Sequence, residues 1–253
     1  METLLVFRHG ESELNLRAHL TGEAAETAYM EGLPPNIDAT AALTPEGIRH
    51  AQRLQQVLAA FTIDLCVSSP ALRALQTAEI GLAGIIPRED FKEEPGLMER
   101  NRGIFYFLPD EIGTRIKQAH PEYWEEPTST LRRRPKDGET LLEVMERVLP
   151  VVTYADQKVA SGTVAFSTHA ETMTAIRALV GRLTDAQLAE PLIPNPPAAI
   201  RPLRQANWNS FCQTDIYTKR NPFTGTVAPH MTHFQSVGVA PIFRTGWREL
   251  PAL

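Results

Sequence analysis

Three short apolar runs decide most of what this chain can become: LLVF at residues 4–7, IDLCV at 63–67 and TVAFS at 163–167. The first ends abruptly in a turn, as a strand buried in a parallel sheet does, and the other two read as further short strands. Helical spacing fills the intervals. TPE at 44–46 places a capping threonine before a proline at the first helical position, and Ile48, Ala51, Leu54, Leu58 and Phe61 recur behind it at helical intervals. Ser68, Ser69 and Pro70 repeat that capping logic ahead of a helix running to about Leu82. GET at 138–140 opens another, with Leu141, Val144 and Val148 on one face, and Pro150 is expected to end or kink it. The last of these helices carries Met173, Ile176 and Val180 and closes near Gly181. Strands alternating with helices specify an α/β fold, a three-layer α/β/α sandwich around a mostly parallel sheet.

Residues 23–41 lack clean periodicity and contain Pro34 and Pro35, so they read as an inserted loop or flap. Residues 95–135 scatter aromatics and prolines through irregular sequence and resemble a lid, the insertion proper spanning about 104–135. The texture changes again beyond Pro191. There Ile216, Tyr217 and Thr218, with residues 227–234, flank NPFTG at 221–225 and suggest a hairpin. This tail, about 192–253, reads as a C-terminal β-rich extension at an edge, within one domain covering 1–253.

At 253 residues and 43% hydrophobic content the chain can bury a substantial core, while 25 basic against 30 acidic residues leave a net charge of −5. That balance offers no general attraction for nucleic acid or anionic lipid, so an anionic ligand must be held by a local cluster of cations. Cys66 and Cys212 stand alone without metal or redox spacing, which fits a reducing cytoplasm, and no apolar run reaches membrane-spanning length.

In an open α/β sheet the carboxyl ends of parallel strands face one edge, where ligands bind. The first strand delivers Arg8, His9 and Gly10 there; the second delivers Ser68 and Ser69, with Arg73 in the first turn of its helix; the third delivers Thr168 and His169. Two arginines and two histidines on one edge are aimed at an anion. The chemistry that needs them is phosphoryl transfer through a phosphohistidine: an imidazole attacks phosphorus in line while fixed donors meet the equatorial oxygens. Arg8 and Arg73 supply planar forks, His169 a further donor, and Asn15 is within reach. Gly10 permits a tight turn that brings backbone to the anion, and a short helix beginning near Glu11 adds its positive end. A proton donor to the leaving alkoxide is also required, and Glu99, in LMERNRG at 97–103, is the candidate, with Glu93 and Glu94 as neighbours of the same type.

RHGES at 8–12, SSPALRALQTA at 68–78, Glu99 with Gly103, and STHAET at 167–172 together resemble the histidine phosphatase superfamily, in its phosphoglycerate-mutase-like branch. LTPEG at 43–47 and DGETLLEVMERV at 137–148 add to the resemblance, which covers residues 4–181. It implies His9 as the transiently phosphorylated residue, Arg8, Arg73 and His169 as the phosphate pocket, Glu99 as proton donor, and no metal or other cofactor. Departures are Ala170 where glycine usually follows the histidine and Leu14 where an aromatic residue is often found. Thr21 and Gly22, ahead of the 23–41 insertion, are candidate substrate contacts along with Asn15 and Ala170.

Taken singly, these residues have plainer readings. Arg73 could be a surface ion-pair residue, His169 a hydrogen-bonded core histidine, and Arg132, Arg133 and Arg134 a solvated patch. His230 and His233, three apart, would point to opposite faces of a strand and make no metal pair. The expectation is a phosphatase acting on a small phosphorylated metabolite, with a homodimer left open. The alternatives are mutase-type transfer and a silent phospholigand-binding module.

Overall fold

A computed structural model describes residues 1–181 and 214–218. In chain order the elements are β1 (Thr3–Arg8), α1 (Glu13–Ala18), α2 (Gly22–Glu31), α3 (Ile37–Thr40), α4 (Pro45–Leu58), β2 (Leu65–Ser68), α5 (Leu72–Gly81), β3 (Phe91–Glu93), α6 (Asp110–Ala119), β4 (Trp124–Glu125), β5 (Arg134–Pro135), α7 (Leu141–Lys158), β6 (Thr163–Thr168), α8 (Ala170–Gly181) and β7 (Thr214–Thr218).

The main sheet runs β3-β2-β6-β1-β7. Its first four strands are parallel and β7 runs antiparallel to β1, from Thr3 opposite Thr218 to Phe7 opposite Thr214. Strand β1 shows why the sequence chooses this arrangement. Leu4, Leu5, Val6 and Phe7 are all fully buried, and successive side chains point to opposite faces. Leu4 and Val6 pack with Val144, Val148 and Val152 of α7 and Met173 and Ile176 of α8, whereas Leu5 and Phe7 join Leu54 and Leu58 of α4 and Ala78 of α5. Each large aliphatic or aromatic chain so buried contributes about 1.5–3 kcal/mol. Two helical layers on one sheet are the expected α/β/α sandwich, and β7 adds an antiparallel edge to it. The proposed partner of β7 in the hairpin, residues 227–234, lies outside the described residues, as do most of the 192–253 extension, His230, His233 and Cys212.

Three local expectations are corrected. Residues 23–41 are largely helical, in α2 and α3: GEAAETAYME consists mostly of good helix formers, and periodicity is weak because only Ala25 and Ala28 of α2 are buried. Residues 95–135, read as irregular, contain the three-turn α6 and the two-stranded β4–β5 pair. Helix α7 continues through Pro150. The proline faces solvent, as does Glu146, whose carbonyl loses its partner to the missing N–H and can be hydrated, while Val148, Val151 and Val152 hold the core side. In α4 the Thr44 cap is as expected, its side chain accepting from Gly47 N–H at 3.0 Å, but Ile48 is 41% exposed and Phe61 falls beyond the helix.

Gly10 is required for a reason the sequence alone conceals. A Cβ there would lie 2.4 Å from the Gly47 carbonyl oxygen, and a Cβ on Gly47 would lie 1.9 Å from that of Glu11. The turn after β1 and the start of α4 touch backbone to backbone. Gly47→Ala should therefore destabilise by roughly 2–4 kcal/mol in chemical denaturation. Gly113→Ala, with nothing within 4 Å of the new methyl, should be neutral or stabilising by up to about 1 kcal/mol; equal effects at the two sites would refute the close-approach argument.

Candidate active site

The register of the central strands does the assembling. Arg8 lies opposite Thr168 and Ser68 opposite Ser167. The ladder runs one residue further on both sides of β6, with His9 N–H donating to the Thr168 carbonyl at 3.0 Å and Ser69 N–H to that of Ser167 at 2.9 Å. Arg8, His9, Ser69 and His169 thus leave three adjacent strands at one edge, and α5 brings Arg73 back over it. His9, Arg73, Ser69 and His169 are all at least 96% buried, His9 being 4% exposed and Arg73 1%.

The two imidazoles sit with ring centroids 5.1 Å apart, edge to face. Their protons are fixed by neighbours that can play only one part. The Gly10 carbonyl accepts from His9 Nδ1–H at 2.6 Å, which leaves the lone pair on Nε2. Arg73 Nη2 donates to His169 Nδ1 at 3.2 Å, so the His169 proton is on Nε2 and is given to Ser69 Oγ at 2.8 Å. Burial, then the positive charges of Arg73 and Arg8, hold His9 well below the ordinary histidine pKa, against a smaller opposing pull from the Gly10 carbonyl. Burial and the same arginine charges, together with His9, lower His169 likewise. Both rings are neutral at neutral pH, with two guanidinium groups beside them.

Glu99 arrives from the loop after β3. Thr168 Oγ1 donates to the Leu97 carbonyl and Thr172 Oγ1 to that of Met98, both at 2.7 Å, while Arg147 of α7 gathers the Gly96, Met98 and Glu99 carbonyls at 2.7–3.2 Å. The Glu99 carboxyl is thereby set at the first turn of α8, accepting from the Arg100, Glu171 and Thr172 amides at 3.0–3.2 Å. Its pKa is nevertheless raised, chiefly by burial and next by the Glu171 carboxylate, with the Arg100 amide and the Arg8 and Arg73 charges opposing. A carboxyl inclined to keep a proton therefore feels the same two arginine charges as imidazoles inclined to lose theirs.

Other expected residues fall elsewhere. Asn15 Oδ1 accepts from Ser12 N–H and Oγ–H, closing a capping box on α1. Thr21 and Gly22 are exposed at the start of α2, where Gly22 N–H donates to Glu111 at 2.9 Å. Ala170 is the first residue of α8. At Gly10, where a tight turn is expected to bring backbone close to an anion, the N–H donates to Thr77 Oγ1 at 2.9 Å. Ser69 does not cap α5 with its side chain; the N-cap there is Ala71. Glu93 and Glu94 pair with Arg88 and Lys92. Arg134 pairs with Glu143 and Glu125, and Arg133 lies over Trp124. The sequence reading missed Asp38 and Tyr106. Arg73 Nη2 donates to Asp38 Oδ1 at 2.8 Å and Tyr106 Oη–H to Asp38 Oδ2 at 2.6 Å. Both lie in insertions with no motif, so only the unassigned charge of Arg73 could have hinted at them.

Among the described residues no three His, Cys, Asp or Glu side chains converge as a metal-binding set, and no helix is long and apolar enough to cross a membrane. Cys66 is buried in the core, which pushes its thiol pKa up.

The comparisons with known proteins agree on one family. The family model described as histidine phosphatase superfamily (branch 1) matches residues 4–205. A 2,3-bisphosphoglycerate-dependent phosphoglycerate mutase of Methylobacterium radiotolerans is 29% identical over 199 residues, 75% of this chain and 84% of the relative. Among solved structures, Bacillus stearothermophilus YhfR is 26% identical with a TM-score of 0.57, covering 75% of this chain and 84% of that one. Mycobacterial glucosyl-3-phosphoglycerate phosphatase, at 20% identity and a TM-score of 0.58, covers 74% and 86% and shares the fold.

The Ser69 bond to His169 yields a test. Ser69→Ala leaves the His169 Nε2–H without its acceptor, so the ring can turn and loosen its hold on Arg73. The expected result is about a tenfold loss in kcat/KM toward an aryl phosphate, with a stability loss of about 1–3 kcal/mol from the buried donor left unpaired and a folded protein at the assay temperature. Unchanged kinetics would show that this bond does not orient the site.

Proposed function

The chain belongs to the histidine phosphatase superfamily, and from that premise we propose that it is a phosphatase hydrolysing a small phosphomonoester through a phosphohistidine at His9. The observation that carries this reading is the 2.6 Å bond from His9 Nδ1–H to the Gly10 carbonyl, which makes Nε2 the basic nitrogen of a ring kept neutral.

In this reading Nε2 attacks phosphorus as the ester P–O bond breaks. Arg8 and Arg73 meet the charge on the equatorial oxygens. His169 lines the same space and orients Arg73 through Nδ1. Glu99 gives its proton to the departing alkoxide. As carboxylate it then takes a proton from water, which attacks phosphorus, breaks the P–N bond and frees inorganic phosphate. Asn15, Thr21, Gly22 and Ala170 complete the assignment as substrate contacts.

Mutase-type transfer uses the same first step, and the similarity to phosphoglycerate mutases supports it as strongly as the phosphatase titles support hydrolysis. Hydrolysis is preferred here on charge. A bisphosphoglycerate carries further anionic groups beside the reacting phosphoryl. Among the described residues, the cations near Glu99 other than Arg8 and Arg73 are already answered by carboxylates, Arg100 and Arg102 lying 3.6 and 4.0 Å from Glu171 and Arg147 3.1 Å from Glu139, and Asp38 adds another carboxylate to the rim.

Glu99→Gln separates the roles. Loss should be about 10²–10⁴-fold on an alkyl phosphate, whose alkoxide needs the proton. On a nitrophenyl phosphate the variant should release a burst of nitrophenol and leave an acid-labile phosphate on His9, visible by mass spectrometry and missing in His9→Ala. Equal losses on both esters with no adduct would overturn the mechanism. Incubation with 3-phosphoglycerate and its 2,3-bisphosphate should release inorganic phosphate in preference to exchanging positions; rapid isomerisation without release would establish the mutase reading instead.

A further inference from the structure

Arg73 is 1% exposed, and a guanidinium so deeply placed costs several kcal/mol unless it is paired. In this structure its anion is internal. Nη1 donates to the Asp38 backbone carbonyl at 2.6 Å and Nη2 to Asp38 Oδ1 at 2.8 Å, one residue taking both ends of the fork. Tyr106 donates to the second carboxylate oxygen at 2.6 Å. Its hydroxyl stays protonated because burial and the Asp38 charge raise its pKa. The Phe107 ring, 4.0 Å from that of Tyr106 and 5.6 Å from the Arg73 guanidinium carbon, closes the other side. Asp38, with its backbone carbonyl and one carboxylate oxygen on the two ends of the fork and its other carboxylate oxygen on the Tyr106 hydroxyl, takes donors that the oxygens of a phosphoryl group require.

We propose that Asp38 is an affinity-setting residue of the phosphate pocket: it occupies Arg73 as an internal anion, and a phosphoryl group binds by displacing it. The proposal rests on the assignment of Arg73 to the phosphate. Asp38 has room to leave, since α3 is a single turn of four residues and the Asp38 side chain keeps 25% of its surface in solvent. The dianion of a phosphomonoester outcompetes a single carboxylate for the same fork. The alternative, that Asp38 merely holds Arg73 in position for phosphate, predicts effects of opposite sign.

Binding of inorganic phosphate by calorimetry to the full chain and to Asp38→Asn distinguishes them. Displacement predicts that the variant binds about tenfold more tightly, as one charged hydrogen bond no longer has to be broken, and that KM falls in parallel. Weaker or unchanged binding in the variant, with the wild type binding normally, overturns the displacement alone. No phosphate binding by either protein overturns the pocket assignment and the displacement with it. A second measurement needs no variant: amide exchange of Ala39, Thr40 and Ala41, whose N–H groups are bonded within α3. It should quicken when phosphate saturates the wild type, and slowing would refute displacement.

Discussion

Everything at this sheet edge follows from one electrostatic constraint: the Arg73 charge, set in a place water hardly reaches. A buried cation must be answered locally, and the structure answers it with groups that each have other work. His169 accepts from it through Nδ1, and Asp38 pairs with it through both its backbone carbonyl and its carboxylate. The same charge then acts at a distance. It lowers the affinity of both imidazoles for protons and opposes the desolvation that raises Glu99. One buried guanidinium thus adds to what burial does at both imidazoles and tempers what burial does at the neighbouring acid. Neither ring needs a carboxylate partner to hold its tautomer, since a carbonyl and a guanidinium admit only one hydrogen-bonding sense each.

The arrangement is rigid where chemistry needs precision. His9 and His169 extend adjacent parallel strands whose side chains are buried on both faces. A slip of one residue in register would exchange the two core faces along with the site. Glu99 has no strand to hold it, and its position is built by other means. Threonines from β6 and α8 and an arginine from α7 collect the carbonyls of the loop that carries it. The acid is therefore coupled to three elements, so a change in any of them would move it relative to the histidines.

The sheet edge was legible in the sequence because strand ends obey a topological rule: short apolar runs fix where polar residues emerge, and Arg8-His9, Ser68-Ser69 and Thr168-His169 emerge where that rule puts them. The insertions were not. GEAAETAYME has helical composition, yet only two of its alanines are buried, so no apolar stripe announced α2. Pro150 misled in the other direction, because the rule against helical proline assumes the freed carbonyl has nowhere to go, and here both Pro150 and Glu146 are exposed residues on the outer side of the helix. Gly10 was noticed for its flexibility. What demands it is the Gly47 backbone, a contact between segments 37 residues apart in sequence that local pattern cannot reveal.

Ser69 and Asp38 show a deeper limit. Ser69 looks like a helix cap, since serine before proline usually is one. Its hydroxyl accepts from the Ala71 N–H at 3.3 Å just ahead of the helix, and also from His169, and it contacts Met98 Sδ at 3.3 Å. Asp38 looks like one more acid in a featureless insertion and proves to be the counter-ion of the most buried cation in the site. Both were invisible because hydrogen-bonding groups are assigned by what they meet across the fold. The sequence-distant partner decides, and it acts twice here. The strands supply the buried donors, the insertion supplies the anion they hold, and on the proposed displacement a phosphomonoester would take that anion's place. On that proposal, affinity for the phosphoryl group is a difference between two charge pairings, and changes in α3 tune it while leaving the imidazoles and the acid untouched.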